Sequence, residues 1–277
     1  ERSRGLGDVY KRQGSGSSTA ASSTAGSAAA SAAASDWTWE RKVTLVCPWG
    51  VGGGADGTLR PVAKLVHSIN IIASSKKAQE GKYSNFTEFV DYAKAHPQEL
   101  TCGMLTATGA DSVALKQTLA GGLGCDITEV EQYVKVVNYS SGSELSSAMV
   151  GGHININITG ADEIMGLIQS GDIVPLISIS ENRMSTLPDL ECTGELGIDS
   201  YVGTWRGILC RTDTPDAAVN AMADALKEAW NTPDYQEFLK NACYLDRPGY
   251  ADAEEFQQLI DEEYTTFEDY LKGAGLI

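Results

Sequence analysis

The stretch Leu100–Leu119, LTCGMLTATGADSVALKQTL, decides the fold. Its first six residues, Leu100–Leu105, form an apolar run of strand length. The polar run Thr106-Ala107-Thr108-Gly109-Ala110-Asp111-Ser112 follows, and Ser112–Leu119 then keeps helical spacing. A strand, a short polar loop and a helix make one βα unit, and a chain that repeats such units builds a mostly parallel sheet covered by helices. The pattern does repeat in both directions. Upstream, Lys42–Cys47 reads as a strand ended by Pro48, followed by a glycine-rich loop and a helix from about Gly57. Ile69–Ser74 is another apolar run. Asn85 caps a helix with Glu88 at the capping-box position and Phe86, Phe89, Val90 and Ala93 on one face. His96-Pro97 ends that helix. Downstream come a strand at Tyr133–Asn138, a helix at Ser143–Val150, and the alternating strand Ile154–Ile158, with Asn155 and Asn157 turned away from its isoleucines. Strands at Ile173–Ile179 and Trp205–Cys210 precede three closing helices. Two of these are announced by Thr214-Pro215 and Thr232-Pro233, a cap followed by proline at the first helical position. The last carries Phe256, Leu259, Ile260, Tyr264, Phe267 and Leu271 at helical spacing.

Composition narrows the function. The chain has 277 residues, 21 Lys plus Arg against 37 Asp plus Glu, and a formal charge of −16. Such a balance offers no surplus of cations to neutralise phosphates, so nucleic acid is not expected as a partner. Three histidines, well apart in sequence, do not make a metal site, and the six cysteines lack C-x-x-C spacing. Buried thiols behave as small hydrophobes, and the cysteine pattern leaves open whether any disulfide forms. Residues 1–13, ERSRGLGDVYKRQ, show no structural period and resemble translated adaptor sequence. Residues 14–35 contain only Gly, Ser, Thr and Ala and are expected to be a disordered tether, because they carry too little apolar area to offset ordering. Tethers of this kind commonly follow the lipid-modified cysteine of exported bacterial lipoproteins. That cysteine and a signal peptide are missing from the chain as written.

Chemistry can sit in four loops that follow strands. Pro48–Asp56, PWGVGGGAD, lets backbone amides approach a ligand at a helix start, which suits an anion. Its alternative is a tight turn in which Asp56 only caps the helix. The loops at Thr106–Ser112, Asn138–Ser143 and Thr159–Asp162 each read alone as ordinary caps. Together they lie at the carboxyl ends of strands, where open parallel sheets bind ligands. Gly50–Ala55 also fits G-x-G-x-x-A, so an NADP-dependent Rossmann-type oxidoreductase is the alternative function. Pro48 and Trp49 intrude before the first glycine, and no acidic residue ends the second strand to hold a ribose. No nucleophile elbow, zinc-protease helix or phosphate-binding lysine motif is present, so no catalytic residue, metal or cofactor is expected.

In their order and spacing these residues resemble the solute-binding receptors of tripartite tricarboxylate transporters, the TctC/Bug family. The resemblance rests on Pro48–Arg60, Phe86–Gly103, Gly151–Ala161, Ile173–Arg183, Leu187-Pro188-Asp189, Glu195-Leu196-Gly197, Trp205-Arg206-Gly207 and the end Gly273-Ala274-Gly275. It implies an α/β, periplasmic-binding-protein-like (type II) fold, with two α/β domains around a cleft that closes on a small organic carboxylate. It implies binding by backbone amides, hydroxyls and water, and no arginine lies in the candidate loops. The first domain is expected at 36–73 and 208–277, the second at 74–207. Trp49, Gly53, Gly54, Ala55 and Asp56 would form one wall. Thr106, Thr108, Gly109, Asp111, Ser140, Ser141, Gly142, Thr159 and Asp162 would face it, with Trp205 near the second crossing. The implied role is a monomeric extracytoplasmic receptor handing its ligand to membrane permease subunits. One departure from the family pattern is that Arg60 runs directly into Pro61-Val62-Ala63-Lys64-Leu65, where the family has a further strand–loop–helix–strand. The first domain is therefore expected to be incomplete, with Pro61 breaking the helix begun at Gly57.

Overall fold

The computed structural model describes residues 59–105, 109–247 and 249–273. In chain order these form β1 (Leu59–Ser68), β2 (Asn70–Ser75), α1 (Lys76–Gln79), α2 (Phe86–Ala95), β3 (Thr101–Met104), α3 (Ala110–Leu123), α4 (Val130–Tyr133), β4 (Lys135–Asn138), α5 (Gly142–Gly151), β5 (Ile156–Gly160), α6 (Ala161–Ser170), β6 (Ile173–Ser178), β7 (Thr204–Arg211), α7 (Asp216–Trp230), α8 (Pro233–Asn241) and α9 (Ala253–Gly273).

Five strands make one sheet in the order β4-β3-β5-β2-β6. β3 is parallel to both β4 and β5, whereas β2 runs antiparallel to β5 and β6. The inserted antiparallel strand has a simple cause. β2 enters the sheet straight from β1, separated from it by Ile69 alone, whereas β3, β4 and β5 follow one another through helical crossovers that return each strand in the same direction. Every residue of β2 is buried, as expected for a strand covered on both faces. Ile72 faces Phe86, Phe89, Leu115 and Leu119 of α2 and α3, whereas Ile71 and Ala73 face Leu145, Met149 and Ile164 of α5 and α6. Gly103 permits the second packing. A Cβ there would lie 2.5 Å from the side-chain ends of Ile154 and Leu145, so a larger residue would force both to shift.

The caps follow local chemistry. Asn85 Oδ1 accepts from Glu88 N at 2.9 Å, and Glu88 reaches back to Ser84 N and Oγ, both at 2.7 Å. Thr232 caps α8 with Pro233 at its start, as its dipeptide predicts. At Thr214-Pro215 the outcome differs by one residue. Pro215 itself occupies the cap position of α7, and no side chain caps that end.

Residues 59–68 correct the expected helix after Gly57. They form a strand that pairs antiparallel with β7, Leu59 opposite Arg211 and Ser68 opposite Thr204. Pro61 does not break a helix. It sits beside a register shift between Pro61 and Ala63, where a strand tolerates a residue without an N–H. β1 and β7 are thus paired strands running into and out of the five-stranded sheet, and β1 leads directly to its central strand. The boundary expected after residue 73 falls inside β2. Helix α9 lies on this ribbon through Phe256, whose ring occupies the space a Cβ at Gly207 would fill.

The asparagines of the alternating strand keep the direction expected of them. Both are turned from Ile156 and Ile158 yet are buried. Asn155 Oδ1 accepts from Thr101 N at 2.9 Å, and its amide donates to Ala78 O. The described cysteines Cys102, Cys125, Cys192, Cys210 and Cys243 are free thiols.

Candidate ligand-binding site

β3 leads through α3 to β4 on one side of the sheet, and the chain then returns through α5 to β5 on the other side. The gap between the carboxyl ends of β3 and β5 is therefore the point where connections diverge, the place where open sheets leave room for a ligand. A recess of about 120 Å³ lies there. Leu105 after β3, Asn157–Gly160 of β5 and Gly142, Leu145 and Ser146 of α5 line it from the sheet side. Ser68 at the end of β1, with Thr204 and Arg206 of β7, line it from the crossing strands.

Helix starts gather at the recess. Gly109 and Gly160 occupy the cap positions of α3 and α6, so neither helix has a cap side chain to accept from its first turn. Backbone amides at such a start and the positive end of the helix dipole suit an anion. Helix α5 is different. Ser141 Oγ accepts from Glu144 N at 3.3 Å, and Glu144 accepts from Ser140 N and Oγ, so that end is closed by its own side chains.

Three carboxylates line the recess beside one guanidinium. Asp162 accepts from Ser68 Oγ at 2.8 Å and Tyr244 Oη at 2.7 Å, and lies 3.4 Å from Arg206. Arg206 also donates to Tyr244 Oη at 2.7 Å and reaches Glu163 at 3.4 Å. Asp111 accepts from Asn70 Nδ2 at 2.9 Å and Thr204 Oγ1 at 3.1 Å. Burial pushes the Asp111 carboxyl above the usual range, and these two hydrogen bonds offset part of the shift. Tyr244 is raised too, by burial first and then by its bond to Asp162. Asp162 therefore joins α6, β1, β7 and the segment after α8 through single side-chain contacts.

Of the residues singled out from sequence, Asp111, Gly142, Thr159 and Asp162 line this recess, and Gly109 and Ser141 sit at the adjoining helix caps. Ser140 is engaged with Glu144. Trp205 points to the other face of β7. Its Nε1 donates to Glu263 at 2.7 Å, and its ring meets Phe256 edge-on with centroids 4.8 Å apart. Trp49, Gly53, Gly54, Ala55, Asp56, Thr106 and Thr108 lie outside the described residues, as does the Gly50–Ala55 loop on which the oxidoreductase alternative depends.

Arg206, Thr204, Ser68, Asn157 and Glu163 were not singled out. A signal for two of them existed. Successive strand residues face opposite ways, so a strand with Trp205 on one face has Thr204 and Arg206 on the other. An arginine therefore does line the recess, carried by a strand rather than by a loop.

Comparison with known proteins places the chain in a family. Residues 55–276 match the family described as "Tripartite tricarboxylate transporter family receptor". A UPF0065 protein in the gbd 5′ region of Cupriavidus necator is 24% identical over 219 residues, covering 78% of this chain and 64% of that protein. A second UPF0065 protein, from Bordetella pertussis, is 22% identical over 185 residues, covering 66% and 54%. The chain thus spans less than two thirds of the length of either relative. Among solved structures, the periplasmic binding protein BugD superposes with a TM-score of 0.64 at 19% identity, over 78% of this chain and 69% of that one. MatC from Rhodopseudomonas palustris, solved with bound malate, gives 0.62 at 18% identity over 80% and 72%. These likenesses identify the fold as the two-domain, type II periplasmic-binding arrangement expected from the sequence. With residues 55–276 covered by its profile, the chain belongs to the tripartite tricarboxylate transporter family of receptors.

Proposed function

We propose that this protein is an extracytoplasmic receptor that captures a small organic carboxylate and presents it to the membrane permease of a tripartite transporter. The observation that carries the reading is the meeting of two glycine-capped helix starts, α3 and α6, at the divergence point of the sheet. Helix starts of this kind bind an anion through fixed amides. The neighbour MatC, solved with bound malate, holds a ligand of the same class. The two crossing strands, β1 and β7, provide the hinge about which the two domains close. The glycine-rich loop Trp49–Asp56 supplies the facing wall.

A thermal-shift screen with mono-, di- and tricarboxylates tests this. A ligand present at 100 times its Kd stabilises the folded state by about 2.7 kcal/mol, enough to raise Tm by several degrees. The receptor reading expects one small acid to do so, and Gly53→Val to remove the response. No response to any small acid overturns it.

A further inference from the structure

Residues 243–247, Cys243-Tyr244-Leu245-Asp246-Arg247, lie between α8 and α9. By chain connection they belong with the helices beside the ribbon, but most of their contacts lie on the five-stranded sheet and its helices. The Cys243 side chain packs with Ile71, Ile164 and Met184. Tyr244 Oη donates to Asp162 in the first turn of α6 at 2.7 Å. Asp246 accepts from Ser185 N at 3.1 Å. Arg247 donates to Ile179 O at 2.9 Å and to Tyr201 O at 2.8 Å. The ring of Tyr244 faces back toward the ribbon and packs with Val66 and Leu239. Cys243 has a φ of 61°, a left-handed turn that sends successive side chains into the two different clusters. A non-glycine residue stays in that region when its surroundings over-determine it.

Two glycines make room for these contacts. A Cβ at Gly203, one residue before β7, would collide with Arg247 Nη1 and with Ser68 O. A Cβ at Gly160 would lie 2.6 Å from Asp162 Oδ1 and 2.8 Å from Ser68 Oγ. In the space beside Gly203, Arg247 Nη1 reaches His67 Nε2 at 3.1 Å and Ser68 O at 3.4 Å. One guanidinium thus joins the end of β1, the approach to β7 and the end of β6. Its four acceptors are a ring nitrogen and three carbonyls, none of them a carboxylate. A planar fork of five donors can serve several carbonyls at once, whereas an ammonium presents its donors on one atom.

We infer that residues 243–247 form a strap across the hinge, in which Arg247 pins the crossing strands where they enter the sheet and Tyr244 latches onto Asp162 at the recess. This inference rests on the receptor reading and concerns its motion, not its ligand. The two parts of the strap have different places. Asp162 and Arg206, the partners of the Tyr244 hydroxyl, line the recess, whereas His67, Ile179 and Tyr201, partners of Arg247, lie outside its lining. Opening of the cleft therefore breaks the Tyr244–Asp162 bond and keeps the Arg247 pin. The strap sets how far the domains separate, and Tyr244 positions Asp162 without lining the recess itself.

Distances between spin labels at the exposed positions Asp91 on α2 and Glu228 on α7, measured on the full chain without added acid, test the latch. The labels are attached through unnatural side chains, so the native thiols stay as they are. Tyr244→Phe keeps the ring against Val66 and Leu239 and removes only the hydroxyl. It should broaden the distance distribution or add a second, separate distance. In an Asp162→Ala background the same substitution should add nothing, because the bond is already gone. Hydrogen exchange tests the pin. Arg247→Lys keeps the charge and loses the fork, and should raise exchange of the Ser185 amide about tenfold while the amides of α7 stay within about twofold. A distribution in Tyr244→Phe as narrow as in the unaltered chain would overturn the latch, and so would equal broadening with and without Asp162. A Ser185 amide unmoved by Arg247→Lys, or moved together with the amides of α7, would overturn the pin. Either result leaves the receptor reading standing. Failure of every acid in the thermal-shift screen would strike that reading and not these measurements, which use no ligand.

Discussion

Helices α2 and α9 have the same apolar spacing, and the molecule treats them differently. In ten residues α2 buries Phe86, Phe89, Val90 and Ala93 against the five-stranded sheet. In twenty-one residues α9 buries Phe256 and Tyr270, while Tyr264 on the same stripe is 57% exposed. α7 and α8 behave like α9, with Val219 and Leu239 as their buried residues. The sheet to which α2 belongs is covered on both faces, whereas these three helices lie beside a two-stranded ribbon. Helical period states which face should be buried. Whether anything is present to bury it depends on residues far away in the chain, and for α7–α9 the described partners are few. Unequal cohesion between the two regions is the consequence.

The largest expected effect tests that inequality directly. Phe89→Ala removes a wholly buried ring and should cost about 3–5 kcal/mol. Leu259→Ala on the half-buried stripe of α9 should cost about 1–2 kcal/mol, since part of its surface is already in solvent. Urea unfolding of the two variants measures both. Hydrogen exchange gives a second view, because amides of β2, β3 and β5 should exchange only with the slowest opening and those of α7–α9 well before it. Equal costs, or equal protection, would erase the distinction between the regions.

A middle-sized effect concerns the join between them. His67 on β1 is buried, and its Nε2 accepts from Arg247 at 3.1 Å, while Arg247 also donates to Ile179 O and Tyr201 O. Burial, then the charges of Arg247 and Lys64, depress the His67 pKa to about 3. Burial also lowers Arg247, to about 10, with Glu263 acting in the opposite direction. His67 is therefore neutral when folded and takes a proton near pH 6.5 when unfolded. The unfolded state binds more protons below that value, so stability should fall as the pH drops from about 6.5 toward 3. Between pH 7 and pH 5 the loss from this group is about 2 kcal/mol. His67→Gln should flatten that part of the pH–stability curve whatever it does to the plateau. A curve whose slope is unchanged in the variant would show that the ribbon does not exclude protons as its burial implies.

How much of this was legible in sequence follows the same division. The βα units of the sheet were readable because each combines a short apolar run with a polar or glycine-bearing helix start, and at α2 a cap that acts within four residues, as Asn85 and Glu88 do. β1 was not readable. Its residues follow a glycine-rich loop, contain a proline and lack strict alternation, and they are a strand because Thr204–Arg211, far along the chain, pair with them across two bulges. The candidate site divided likewise. Asp111, Gly142, Thr159 and Asp162 sit in loops and first helical turns that sequence marks locally, and the structure brings them to one recess. Ser68 and Arg206 reach it only through the pairing of β1 and β7, a long-range fact. Asn157 has no sequence signature as a lining residue, because an alternating strand predicts a polar residue there in any case.

The smallest effect compares one kind of cap in the two regions. Asn85 Oδ1 lies 2.9 Å from the amide it caps, and α2 behind it carries Phe86 and Phe89 into the core. Fraying the start of α2 would pull at both rings, so Asn85→Ala should cost about 1–2 kcal/mol, the upper part of the range for such caps. Thr232 Oγ1 accepts from Tyr235 N at 3.4 Å while donating to Ala229 O at 2.7 Å, so its hydroxyl serves the preceding turn more than the helix it caps. Pro233 already sets the backbone angle for the first turn of α8, and Leu239, the buried anchor of that helix, lies two turns away. Thr232→Ala should therefore cost about 0.5 kcal/mol, measurable as a small shift in urea midpoint with the slope unchanged. If Thr232→Ala proved as costly as Asn85→Ala, α8 would be coupled to a core as firmly as α2, and the contrast between the two regions would have to be drawn elsewhere.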